Sequence, residues 1–166
     1  MAAEPREEWR AGQGRTGMAE QAPLRWPITP ELGKLRERVQ AYALAAGFTG
    51  ARLRDVVLVV NEAADNVLEH GGGSGVVVAH ADGDGLWIEV CDPAGTLTDE
   101  RFRRLTAVPP PLARHGYGLW VIARLCDEVH IDHPGGGSRL RLRLNRRHPT
   151  LHGNAVPRED EHPGEP

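Results

Sequence analysis

The stretch that decides the fold is Val59–Gly73, VVNEAADNVLEHGGG. It reads as the second half of a buried helix that stops at a run of glycines. The helix spans about Ala51 to Glu69, with Leu53, Val56, Val57, Val60, Ala64, Val67 and Leu68 forming a wide apolar face. Yet Glu62, Asp65, Asn66, Glu69 and His70 sit among these residues. Glu62 and Asn66 stand in i,i+4 register, so they project from one face. An amide oxygen can ligate Mg²⁺, a hard ion that prefers oxygen. A carboxylate beside it can orient an attacking hydroxyl or take its proton. Alone, the two are most simply a solvated pair.

Upstream of this helix, PLRWP (Pro23–Pro27) reads as a short edge strand. TPELGKLRERVQAYALAAG follows as a first helix. Thr29 is placed to cap it, Pro30 suits its first turn and Gly47 its end. Leu32, Leu35, Val39, Tyr42 and Ala46 make its apolar stripe. Downstream of the glycines the period changes to two. GVVVAHAD and LWIEVCD, joined by Gly83-Asp84-Gly85, read as a hairpin. Leu86, Ile88 and Val90 share one face of its second strand, and Asp92 ends the same row. The next stretch, Pro93 to His115, reads as a long irregular lid with one helical turn near Glu100–Leu105. GYGLWVIARLCDE then opens a helix directly after two glycines. EVHID and RLRLRL, around HPGGGS, form a second hairpin in which Leu140, Leu142 and Leu144 point inward and Arg139, Arg141 and Arg143 outward. These elements predict an α+β two-layer sandwich: a mixed, mostly antiparallel sheet with helices on one face.

The totals agree with one small domain. The chain has 166 residues, 40% of them hydrophobic, and a net charge of −3. That charge supplies no strong field for nucleic acid or an anionic membrane. No apolar run is long enough to span a bilayer, and no signal peptide is expected. Cys91 and Cys126 sit in apolar segments and read as buried thiols, not a disulfide framework. A bacterial cytoplasmic protein fits these features. Residues 1–21 and 146–166 are polar, charged or proline-dotted, and are expected to be disordered arms around a domain over 22–145.

Three further features stand beside Glu62 and Asn66. Asp92 is a carboxylate at the end of a core-facing row. RHGYG (Arg114–Gly118) lies at a helix N-terminus, where free N–H groups and the helix dipole favour phosphate. Ser138 follows the Gly135-Gly136-Gly137 turn. Each is weak alone. In order, however, E-x-x-x-N on a helix, D at a strand end, a lid, G-x-G opening a helix and a final G-S resemble the Bergerat-fold ATPases. That superfamily includes gyrase B, heat-shock chaperone ATPases, MutL and histidine kinases. NEAADNVLEHG, RHGYGLWVIARLCDEVHI and GGGSRLRLRL are most similar to the bacterial anti-sigma-factor serine kinases, and the likeness runs from about Pro23 to Leu144.

The resemblance implies roles residue by residue. Glu62 is the implied catalytic base, and Asn66 the implied ligand of Mg²⁺ bridging the ATP phosphates. Asp92 is implied to accept a hydrogen bond from the adenine amino group, with Ser138 supporting the adenine end. Arg114 is implied to reach the terminal phosphate while Gly116, Tyr117 and Gly118 form the phosphate-wrapping turn. Gly95 belongs to the adenine-side turn, and Arg36 matches a region of the first helix that touches partners. The family's D-x-G-x-G is altered: Ala94 and Thr96 replace its two glycines. An alanine fits there if the turn does not need positive φ.

The activity implied is that of an ATP-dependent serine/threonine protein kinase. It phosphorylates a small anti-sigma-factor antagonist and/or sequesters a sigma factor, and a homodimer is possible. The alternative is a non-catalytic ATP-binding module that switches a protein partner. The catalytic half of a histidine kinase is not expected, because the residues ahead of the first helix are too few for a phosphoaccepting hairpin. Gyrase-like machines are not expected either, since no transducer domain follows.

Overall fold

The described residues of the computed structural model are 21–108 and 117–147. The expected terminal arms fall almost wholly outside them, as do Arg114 and Gly116. Five strands form one sheet in the order β1-β2-β3-β5-β4: β1 is Leu24–Ile28, β2 Gly75–Ala81, β3 Gly85–Asp92, β4 Glu128–Asp132 and β5 Ser138–Asn145. The two-layer α+β sandwich forms as expected, but the sheet is not mixed: all four of these strand pairings are antiparallel. β1 is an edge strand, where Pro27 costs little because one side of the strand needs no ladder partner.

The helices are α1 (Leu32–Ala45), α2 (Gly50–His70), α3 (Asp99–Thr106) and α4 (Gly118–Leu125). Alternation aims Leu86, Ile88 and Val90 of β3 and Leu140, Leu142 and Leu144 of β5 at one face. There they share a core with Leu35 and Val39 of α1, Val56, Val60 and Val67 of α2, and Ile122 of α4. Helical spacing therefore supplies one half of the core and strand alternation the other.

Three local expectations are corrected. Helix α1 starts at Leu32 with Glu31 at its N-cap, not at Thr29. Ile28 is still paired with Gly75 in the sheet, so Thr29 and Pro30 are spent turning from strand to helix. The single helical turn expected near Glu100–Leu105 is a full two-turn helix, α3. Thr98 caps it by accepting from the Arg101 N–H at 3.2 Å, with Asp99 and Glu100 in its first turn and Arg103 and Arg104 in its last. Arg143 does not stand out in solvent. It is buried, bonded to Asp82 and lying over the Trp87 ring, 5.4 Å from its centroid.

Arg52, near the start of α2, also faces inward. Its Nε donates to the Asn145 carbonyl at 2.8 Å and its Nη1 to the Leu125 carbonyl at 2.7 Å. It also pairs with Asp127, whose carboxylate accepts from the Asn145 N–H at 2.7 Å. One guanidinium thus ties the start of α2 to the ends of α4 and β5, and puts positive charge at the C-terminus of α4. Cys91 and Cys126 are free thiols, as expected, and burial pushes the Cys126 thiol up to about 12. It stays protonated and unreactive at neutral pH.

Candidate functional site

Helix α2 crosses the sheet so that its second half ends over the C-terminal end of β3. Small residues, Ala63 and Ala64, are fully buried there and allow close approach. A narrow cleft opens beside them. Asn66 lines it from α2, Asp92 from the end of β3 and Ser138 from the start of β5, with Val67, Leu97 and Leu140 as apolar walls. Asp92 and Ser138 are directly opposite each other in the β3–β5 register, and both are buried. Among the described residues the Asn66 amide has no hydrogen-bond partner.

The glycine run after α2 serves Asp92. The Gly71 and Gly73 N–H groups both donate to the Val67 carbonyl at 3.1 Å, which ends the helix. The next donor, Gly72 N–H, reaches Asp92 Oδ1 at 3.0 Å. Ala94 N–H reaches the same oxygen at 2.9 Å. A Cβ on Gly71 would lie 2.4 Å from Asp92 Oδ2 and 2.8 Å from the Val67 carbonyl. Only glycine lets the carboxylate settle against the helix end.

The altered D-x-G-x-G stretch keeps its turn. No residue other than glycine has positive φ among the described residues, so Ala94 is unstrained. The left-handed position is Gly95, at φ +67, and a Cβ there would lie 2.3 Å from the Gly136 carbonyl. Gly95 therefore lets the Asp92 turn press onto the β4–β5 hairpin. The Thr96 hydroxyl lies 3.1 Å from the His70 carbonyl and 3.4 Å from Asp92 Oδ2.

Glu62 is one turn before Asn66 and half-buried. Burial raises its carboxyl above the ordinary range, and the charges of Asp65 and Glu69 add to this against a hydrogen bond from Asn61. Its Oε2 would lie 2.8 Å from a Cβ on Gly118, so the carboxylate is packed against the first residue of α4. Tyr117, just outside α4, is that helix's N-cap residue. Four segments far apart in sequence thus converge: α2, the β3 end, the α4 start and the β5 start. Arg36 stands apart from them, donating to Asn61 Oδ1 at 2.9 Å on a groove between α1 and α2 lined by Leu53, Val57 and Leu58.

This donor set fits a magnesium nucleotide. Among the described residues no group of three or more His, Cys, Asp or Glu could hold a metal alone. Asn66 offers one hard oxygen, which suits an ion that takes its other ligands from phosphates and water. The cleft offers a buried acceptor, Asp92, between apolar walls, which suits a purine. Sequence reasoning missed two contributors: Gly71–Gly72, hidden in what reads as a simple helix stop, and Thr96, which reads only as a departure from a motif.

Comparison with solved structures finds the RsbU and RsbW domains of Rv1364c from Mycobacterium tuberculosis, at TM-score 0.55 and 25% identity. The match covers 76% of this chain and 34% of that one, so this chain spans about a third of that protein's length. Comparison with curated proteins gives no match. No helix among the described residues is long and apolar enough to cross a membrane. The sequence profile of the histidine kinase-like ATPase domain matches residues 28–144, most of the chain, from the last residue of β1 to the last but one of β5. The chain belongs to the histidine kinase-like ATPase domain family, whose members bind ATP.

Proposed function

We propose that the protein is an ATP- and Mg²⁺-dependent serine/threonine kinase of the anti-sigma-factor type, acting on a small antagonist protein. The observation that carries this reading is that an unpartnered Asn66 and a buried Asp92 line one cleft, while the half-buried Glu62, one turn before Asn66 on α2, packs against the start of α4. In this reading Asp92 and Ser138 hold the base, Asn66 gives an oxygen to Mg²⁺, and the turn from Arg114 to Gly118 wraps the phosphates. The ion neutralises phosphate charge when bound. Glu62 takes the proton of the attacking hydroxyl, and a raised carboxyl pKa makes it a better base than an ordinary glutamate. Phosphoryl transfer asks little more of a protein than positioning and charge neutralisation.

The likeness to a structure containing an RsbW domain supports this class over other members of the superfamily. The Arg36 groove, with Arg54 and Leu58 at its rim, is our candidate surface for the antagonist or a sigma factor. A non-catalytic ATP-binding switch keeps Asp92 and Asn66 but has no use for a desolvated carboxylate at the α4 start. The test is incubation of the full chain with labelled ATP and Mg²⁺ beside small antagonist proteins encoded nearby. Label transferred to a serine or threonine supports the kinase. ATP binding without any transfer supports the switch, and no ATP binding ends both readings.

A further inference from the structure

We propose that Thr96, the residue standing where the family pattern has its second glycine, positions Asp92 Oδ2 for the exocyclic amine of the bound base and thereby sets purine selectivity. The inference rests on the nucleotide reading above and concerns how its base end is built. Asp92 Oδ1 already accepts two backbone N–H groups, from Gly72 and Ala94. Its in-plane lone pairs are used, so the acceptor left for a ligand is Oδ2. Among the described residues the only donor to Oδ2 is the Thr96 hydroxyl. A carboxylate torsion is broad and soft, so two bonds on one oxygen leave the other free to tilt. Gly71 closes one side of that tilt by close approach. Thr96 closes the other.

The hydroxyl has one proton and two acceptors, His70 O at 3.1 Å and Asp92 Oδ2 at 3.4 Å. With no base bound it steadies Oδ2. Oδ2 has two lone pairs, so the hydroxyl can hold one while an incoming amine donates to the other. Because His70 is the last residue of α2, the same hydroxyl ties the base-reading turn to the helix that carries Glu62 and Asn66. Glycine at this position could do neither. Thr96 is exposed, so its replacement leaves the core intact.

The experiment measures dissociation constants of the full chain for ATP and for purine riboside triphosphate, which carries hydrogen in place of the 6-amino group. Thr96→Val removes the hydroxyl at constant shape, and Thr96→Ser keeps it. Thr96→Val is expected to weaken ATP by about 3- to 10-fold, the worth of one net hydrogen bond. The riboside is expected to stay within about twofold, because it makes no bond to Oδ2. Thr96→Ser should match the parent on both. Equal weakening of both nucleotides by Thr96→Val, or no change in either, overturns the positioning role. If the parent chain binds ATP and only the Thr96 comparison fails, the nucleotide reading survives. If the parent binds no ATP, the two fall together.

Discussion

Replacing Asp92 by asparagine tests the base end of the site most directly, because the structure dictates how the new side chain must lie. Two backbone donors, Gly72 N–H and Ala94 N–H, converge on Oδ1 at 3.0 and 2.9 Å. Only an oxygen can satisfy them, so the asparagine amide nitrogen is forced into the place of Oδ2. A ligand amine that met an acceptor there now meets a donor. Loss of a hydrogen bond to a charged acceptor costs about 1.5–3 kcal/mol, which is about a 10- to 150-fold loss of ATP affinity. A 6-oxo purine gains a donor at the same point, so GTP should weaken less than ATP or strengthen. The fold should be spared. Both Oδ1 bonds survive, and a buried charge that no Lys, Arg or His among the described residues neutralises is removed. The melting temperature is therefore expected to stay within about 3 °C of the parent or to rise. Displacement of a fluorescent nucleotide gives the affinities, and a thermal melt gives the control. An intact variant whose ATP affinity moves by less than about threefold refutes the assignment, since that is below the worth of a charged hydrogen bond.

Glu62→Gln should abolish phosphotransfer while sparing nucleotide binding, and measurable transfer by the variant would remove the base assignment. Burial, then the Asp65 charge, raise the Glu62 carboxyl above its ordinary 4.5. The sign follows: the folded state holds this proton more tightly than the unfolded state, so its stabilising effect is full below 4.5 and is lost as pH rises through the raised value. The glutamine variant should then melt above the parent at pH 7.5, with the gap closing in acid; a gap of opposite sign contradicts the burial argument. In the parent, transfer should fail on the acid side at a pH above that of an ordinary glutamate. Asn66→Ala should make nucleotide affinity insensitive to Mg²⁺, checked by titration with and without the ion; retained dependence places the ion elsewhere. Arg52→Met leaves Asp127 buried without its cation and should cost about 3–5 kcal/mol, read by urea unfolding. A loss under about 1 kcal/mol would mean that the clasp between α2, α4 and β5 is not what secures them.

The strands were legible because alternation survives in each: Leu86, Ile88, Val90 and Asp92 fall on one face in the sequence and are all buried in the structure. Asp92 could be located from strand parity alone. Helix α3 was legible only as one helical turn near Glu100–Leu105, because only Phe102 anchors it to the core and no apolar stripe marks its full length. Its signals were local, a threonine cap and charges ordered along the dipole, and these carry less weight than periodicity when a proline-rich segment follows. Arg52 and Arg143 could not be read as inward-facing, since their burial depends on Asp127 and Asp82, distant partners that only the fold supplies. The turn after Asp92 was ambiguous for a similar reason. Whether Ala94 was tolerable depended on which residue takes positive φ, and that is Gly95, fixed by its approach to the Gly136 carbonyl.

The polar residues of α2 divide by position: Asp65 is half-buried without lining the cleft, and the others fall into two groups. Glu69 and His70, at the helix end, are exposed and touch each other. Glu62 and Asn66 are half-buried, interleaved with fully buried Val59, Ala63 and Val67. A solvated face would have no reason to withdraw a carboxylate far enough for burial to raise its pKa. Asp92 sharpens the point. It lies against the C-terminal end of α2, where the helix dipole is negative and an anion is disfavoured by about 0.3–1 kcal/mol. It is buried, and its support is two amides and a hydroxyl, groups that an asparagine or a serine could engage at lower electrostatic cost. Folding alone does not favour a charge there. A site that must accept a hydrogen bond strongly from an incoming donor does, because a charged acceptor makes the stronger bond to the ligand. The glycine run that reads as a helix stop is what makes that placement sterically possible.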